Sequence, residues 1–247
     1  MLREPTMEKL YALRLAVMAM AWEQQEKDPK LRELDFGERF GLLVEAEHRA
    51  RDNRRLARLL RQAELRIPDA CMEDLQSGPE RGLPATTVRQ LATGAWLGER
   101  LNVLVSGATG VGKSYLACAL GQMACRQGLT VLYRRVPRLF EELRVAKAEG
   151  SYARKLLKMA KMDLVILDDL GLGHLDETQR HDLLEVLEDR YGKRSTVVTS
   201  QLPVRTWHEW IGDPTLADAI LDRLVHNAYK VQLKGHSRRK TDTKDTD

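Results

Sequence analysis

The chain has little of what would place it in a membrane, in a disulfide framework or around a structural metal. None of its apolar runs approaches the ~20 residues that cross a bilayer. The stretch from Leu10 to Ala21 is broken by Arg14 and followed by acids, which is no leader pattern. Cysteine occurs three times, at Cys71, Cys118 and Cys125. An odd number without metal-type spacing argues against a disulfide scaffold and fits a reducing cytoplasm. Cys118 and Cys125 lie seven apart in a helical pattern and are expected as small core residues. The six histidines, His48, His174, His181, His208, His226 and His236, form no ligand set. These absences lead to the expectation of a soluble, cytoplasmic protein with no membrane partner. What is present is a core-forming chain of 247 residues, 43% hydrophobic and 31% charged, enough for one sizeable domain and a smaller one.

The most informative stretch is Gly107 to Ser114, GATGVGKS, which fits G-x-x-x-x-G-K-[ST]. Glycines at Gly107, Gly110 and Gly112 let the backbone turn tightly and aim its N–H groups at phosphate oxygens. Ala108, Thr109 and Val111 complete the cradle. Lys113 reaches the β- and γ-phosphates as a point charge, and the Ser114 hydroxyl is a ligand for Mg²⁺. The apolar run Leu101 to Ser106 precedes the loop as a strand, and Ser114 to Arg126 follows it as a helix stopped by Gly128. That helix brings its positive N-terminal end to the same anion, with Tyr115 beside it.

Residues 1–68 carry helical signals only: Leu10, Leu13, Val17 and Met20 in one stripe, an Asp35/Glu38 capping pair opening a second, and Leu56, Leu59, Leu60 and Ala63 in a third that ends at Pro68. This reads as a helical domain of about three helices. Residues 69–99 form a connector rich in turn residues, with a helix over 86–96 and Trp96 in the core. In 100–235, strands are expected at 130–133, 163–167, 195–199 and 229–233. Helices alternate with them over 137–149, 152–161, 177–191 and 216–227, Asp176 capping the third of these. Residues 236–247 are a polar tail. Alternating strands and helices make an α/β fold with a parallel sheet, whose ligands bind at the C-terminal strand ends.

Three groups converge there. Asp168 ends an apolar strand and can hold the water shell of Mg²⁺ opposite Ser114. Asp169 can polarise an attacking water. Ser200 and Gln201 end the next strand, and either can align that water, with Gln201 the favoured one. Arg223 lies outside this set, so it suits either a surface salt bridge or the nucleotide of a neighbouring protomer. Two basic runs stand out: seven arginines over 49–66, including Arg54, Arg55 and Arg58, and nine basic residues over 134–161, including Arg134, Arg135, Arg138, Arg144, Lys147, Arg154, Lys155 and Lys158. Each suits a phosphate-contacting surface or a salt-bridged helix face.

SGATGVGKSYLACAL (Ser106 to Leu120), LVILDDLG (Leu164 to Gly171) and the segment Leu187 to Leu233 resemble the AAA+ helicase-loader (DnaC-like) group, and within it the IstB-like helper proteins of insertion sequences. TSQLP, the Trp207-His208 pair, IGDPTLADAILDRL and a closing G-x-S-x-R (Gly235 to Arg239) carry the narrower resemblance. It implies an ATPase with ATP and Mg²⁺ as ligands, Gly107 to Ser114 as Walker A, and Asp168 and Asp169 as Walker B. Asp169 stands where many AAA+ proteins have glutamate. The resemblance also implies a sensor at Ser200-Gln201, Arg223 as an arginine finger, an ATP-dependent homo-oligomer, largely sequence-independent DNA binding and a DDE transposase partner. The second basic run would then face DNA, with the first a further candidate. Only fourteen residues follow the last expected strand, too few for a helical lid. A lid-borne sensor is therefore missing, Arg238 or Arg239 substituting in part, and slow, partner-governed turnover is expected. A replicative helicase loader shares the core, and a P-loop small-molecule kinase is a remote alternative.

Overall fold

The computed structural model describes residues 3–237, with the side chain of Arg3 excepted. The tail arginines Arg238 and Arg239 lie outside the described residues. The chain divides into two compact units, Met1–Arg58 and Leu59–Asp247.

In the first unit lie α1 (Arg3–Ala12), α2 (Ala16–Lys27), the single turn α3 (Pro29–Arg32) and the greater part of α4 (Phe36–Ala63). α4 corrects the expected pair of helices after Asp35. Its middle holds no breaker, and Arg/Glu/Ala-rich sequence with i,i+4 pairs such as Glu47–Arg51 carries the helix through. The Asp35/Glu38 capping box is present, with Glu38 N donating to Asp35 Oδ1 at 2.9 Å and Asp35 N to Glu38 Oε2 at 3.3 Å. The helix stops before Glu64, whose φ is 53°, and not at Pro68.

Within this unit Glu47 of α4 caps α2 from outside. α2 opens at Leu15, which makes no side-chain cap, and the buried Glu47 carboxylate accepts from the orphan N–H groups of Val17 (3.0 Å) and Met18 (3.1 Å). Burial alone would raise its pKa. The Met18 and Val17 amides and Arg51 outweigh that and hold the carboxyl below the ordinary glutamate range.

The second unit is a five-stranded, all-parallel sheet with helices on it. Its elements are α5 (Ala85–Ala92), α6 (Ala95–Gly98), β1 (Asn102–Gly107), α7 (Lys113–Arg126), β2 (Val131–Arg135), α8 (Val136–Ala148), α9 (Tyr152–Lys161), β3 (Leu164–Leu170), α10 (Glu177–Glu188), β4 (Ser195–Ser200), α11 (Trp207–Ile211), α12 (Pro214–Val225) and β5 (Ala228–Leu233). Strand order is β2-β3-β4-β1-β5. Val103 to Val105, Leu164 to Leu167 and Val197-Val198 are fully buried, the continuous apolar pattern of strands covered on both faces. Cys118 and Cys125 are buried on α7 as expected, and Trp96 is buried with its indole N–H on the Leu91 carbonyl. The connector helix is split in two by Gly94, which adopts φ 71°. α11 escaped the sequence reading because one turn built on Trp207 and Ile211 has no room to show a period.

The ends of the sheet are built differently. The C-terminal strand ends collect Gly107, Arg135, Asp168 to Leu170, Ser200 and Leu233. At the N-terminal end, Asn102 ties three pieces together. Its amide donates to the carbonyls of Arg223 (2.9 Å) and Leu224 (3.3 Å), and its oxygen accepts from Thr196 N (2.9 Å). Near it Arg190, 1% exposed, donates to the carbonyls of Met159 (2.6 Å), Met162 (2.9 Å) and Ser195 and to the Thr196 hydroxyl (3.1 Å). Burial lowers its pKa to about 9, with Arg194 adding to the effect. Replacing Arg190 by Met strands those acceptors and is expected to cost about 3 kcal/mol. The melting midpoint, followed by calorimetry, should fall by about 6–12 °C.

Candidate nucleotide site

The loop after β1 is held open by its glycines. Gly107, Gly110 and Gly112 have φ of 149°, 84° and 102°, a region that L side chains rarely enter. Space forbids substitution as well, since a Cβ on Gly107 would overlap the Leu233 carbonyl and one on Gly110 the Ser237 hydroxyl. Lys113, 6% exposed, folds over the loop and donates to the carbonyls of Gly107 and Ala108, both at 2.8 Å. A nucleotide's phosphates would replace those two carbonyls as its partners.

Beneath the loop, the Ser114 hydroxyl bridges both oxygens of Asp168 at 3.0 and 2.9 Å. Asp168 has no exposed surface and also accepts from the hydroxyls of Tyr133 (2.6 Å) and Thr199. A serine hydroxyl against a carboxylate is a hard oxygen donor set of the kind Mg²⁺ takes, with water and phosphate completing its shell. Burial and the Asp168 hydrogen bond push the Tyr133 phenol well above the ordinary tyrosine range.

Asp169 is set apart by the backbone. The register between β3 and β4 shifts between Leu167 and Leu170, and Asp169 takes φ 64° inside that irregularity. Its N–H donates to Thr199 Oγ1 at 3.0 Å, and its carboxylate meets Arg135 Nε at 2.9 Å. Adjacent acids thereby point in different directions. Gln201 accepts from the Thr109 hydroxyl at 2.8 Å and so reaches the phosphate loop. Ser200 is buried, its hydroxyl donating to the Leu170 carbonyl at 2.6 Å and accepting from Leu202 N at 3.1 Å. Gln201 is the member of the pair that faces the cleft.

These groups line a cleft of about 620 Å³. Thr109, Gly110, Gly112, Lys113, Ser114, Tyr115, Asp169 and Gln201 are among its walls, joined by Arg66 and Ile67 from the segment after α4 and by Asp74, Leu75, Gln76 and Arg81 from the connector. The connector residues were invisible as site residues in the sequence. Arg81 is the clearest case. Its guanidinium donates to the Val111 carbonyl (3.1 Å) and to Gln76, and its carbonyl accepts from Lys234 N (2.8 Å), so one residue braces the phosphate loop against the end of β5. The turn residues around it were its only sequence signal.

The arginine proposed to act between protomers is elsewhere. Arg223 lies at the N-terminal end of the sheet, paired with Glu188, donating to the Ala219 carbonyl at 2.8 Å and stacked over Tyr191 at 5.8 Å. The basic run 134–161 separates into parts. Arg134 is turned inward between Glu64 and Glu142, and Arg135 faces the cleft. Lys147 pairs with Asp182 and Lys155 with Glu142. Arg138, Arg144, Arg154 and Lys158 are exposed, the first two with Glu142 and Glu141 nearby. In the first unit Arg54 pairs with Glu47, and Arg55 and Arg58 are exposed.

Residues 8–246 match the family model of the IstB-like ATP binding protein. The chain belongs to this family. It is similar to the insertion sequence ATP-binding protein y4pL of Sinorhizobium fredii, with 50% identity over 97% of this chain and 98% of that one. Similarity to the ATP-binding protein of insertion sequence IS1162 from Pseudomonas fluorescens is also 50%, over 83% and 89% of the two chains. Among solved structures, the fold is that of the DnaI protein (TM-score 0.58, 21% identity, 67% of this chain and 92% of that one) and of the DnaC helicase loader (TM-score 0.54, 20% identity, 67% and 97%). The IstB-like assignment and the parallel P-loop AAA+ core agree with the resemblance carried by the sequence.

Tyr133→Phe removes one donor from a buried charge and is expected to cost about 1.5–3 kcal/mol in urea unfolding. Above pH 10.0, the ordinary tyrosine value, the unfolded phenol loses its proton while the buried one keeps it. Wild-type stability should therefore fall with rising pH there, and fall less steeply in the Phe variant.

Proposed function

We propose that this protein is an ATP-dependent, DNA-binding, oligomeric regulator that assists the DDE transposase of its own insertion sequence, and that slow hydrolysis of ATP resets the assembly. The observation that carries the ATPase part is Ser114 on buried Asp168 under the phosphate loop. In this reading, the loop amides and Lys113 bind the phosphates, and Ser114 and Asp168 are the residues that would hold Mg²⁺, which when bound would supply charge neutralisation for the phosphoryl group. Asp169 takes up a proton from the attacking water, oriented by Gln201.

Self-assembly is supported by where Arg223 lies. Its own phosphate loop is at the other end of the sheet, so a phosphate it meets belongs to a neighbouring protomer. There it would stabilise charge in the transition state, an effect worth ~10³ or more in rate. Around it a depression of about 150 Å³ gathers Arg100, Arg190 and Arg194, a cationic setting for such an encounter. For DNA, the exposed members of the second basic run, Arg138, Arg144, Arg154 and Lys158 on α8 and α9, are the contact surface. Contact to phosphates without base reading gives little sequence preference and an affinity that falls steeply with salt. The fold shared with helicase loaders supports a second reading, delivery of a replicative helicase, and the partner captured by the full chain separates the two.

Lys113→Ala is expected to abolish ATP binding in equilibrium titration. Arg223→Ala should bind ATP as a monomer yet lose hydrolysis and assembly; normal hydrolysis by this variant rules out the trans role. ATP and duplex DNA together should shift wild type to a larger species in gel filtration, and a monomer under those conditions overturns the assembly reading.

A further inference from the structure

Among the cations that line the cleft, Arg66 is the one that faces both acids and has no part in the scheme above. Arg66 follows α4 by three residues. Its guanidinium reaches past Tyr133 to the two acids: Nη1 is 3.6 Å from Oδ2 of Asp168 and 3.6 Å from Oδ2 of Asp169. It shares the cleft wall with Thr109, Lys113, Ser114 and Gln201.

The two arginines on the acid pair are held unequally. Arg135 makes a direct bond to Asp169 at 2.9 Å. Arg66 stands at 3.6 Å from each acid, beyond hydrogen-bond distance, and is held to them by charge alone. In the nucleotide-free protein it adds positive charge at both acids, beside that of Arg135 on Asp169. A Mg²⁺ held by Ser114 and Asp168 would supply positive charge there in its stead. The terminal phosphate of a triphosphate, bound by Lys113 and the same metal, then brings anionic oxygens to the place the guanidinium already occupies. A diphosphate brings none. A guanidinium also matches phosphate through two parallel N–H groups, which an ammonium cannot do.

We propose that Arg66 turns from the Asp168–Asp169 pair to the terminal phosphate of bound nucleoside triphosphate in the same protomer, and is the residue that distinguishes triphosphate from diphosphate. This rests on the nucleotide reading of the cleft. Because Arg66 lies just beyond α4, the exchange of partners is felt at the C-terminal end of that helix.

The test is equilibrium binding, with Mg²⁺ present and no turnover, of ADP and of a β,γ-methylene ATP analogue to the full chain. Wild type should prefer the triphosphate. In Arg66→Ala the analogue should bind about tenfold to hundredfold more weakly while ADP is unchanged, the loss of one charge-assisted contact. Arg66→Lys should recover part of the preference. Should the Ala variant fail to show a wild-type melting curve, Arg66→Gln, neutral and of similar reach, is read in its place. An unchanged ratio of the two affinities, or an equal loss for both nucleotides, overturns the proposal while leaving the nucleotide site standing. Wild type binding neither nucleotide overturns the site and the proposal together.

Discussion

The carboxylate of Asp168 is wholly buried, and the fold tolerates it only because hydroxyls from three elements donate to it: Ser114 from α7, Tyr133 from β2 and Thr199 from β4. A buried charge left unpaired costs several kcal/mol, so these donors are held in place as firmly as they hold the acid. The consequence reaches outward. Thr199 also receives the Asp169 amide inside the kink in β3, and Ser114 lies in the first turn of α7, directly after the glycine loop. The order of the sheet, with β2 and β4 flanking β3, is what brings the three donors within reach.

The sheet is used at both ends. At its C-terminal end the strands deliver acids, a phosphate loop and a connector wall. At its N-terminal end they deliver Asn102, Arg190 and Arg223, where α12 is tied to β1 by the Asn102 amide. Arg223 and the glycine loop after β1 thus lie at opposite ends of the sheet. The family model places the chain among the IstB-like ATP binding proteins.

What could be read from the residues alone was whatever chemistry packs into a contiguous run. The phosphate loop, the apolar strand into Asp168-Asp169 and the Asp35/Glu38 cap are local patterns, and each has its expected geometry. α4 joins two apolar stripes that read as separate helices, because the polar stretch between them holds no apolar residue larger than alanine to carry the period across. Arg66, Ile67, Leu75 and Arg81 went unnoticed for a different reason. They enter the cleft from irregular chain or, for Arg81, from a single 3-10 turn, too short for a period to tie sequence position to direction. Arg134 and Arg135 looked alike as members of a basic run, yet one is sealed between two glutamates and the other leans on Asp169. Neighbouring side chains at a strand end point to opposite faces, and composition cannot say which face is which.

The left-handed backbone at Asp169 limits what its position can hold. Aspartate, asparagine and glycine accept such a φ readily, while longer or branched side chains are disfavoured there. Glutamate can still take such a backbone, as Glu64 does with φ 53°. The more usual AAA+ acid at this place would therefore meet a steric cost without being barred, and its carboxylate would stand one methylene further from the kinked strand. The backbone path and the short reach of aspartate are matched at this position.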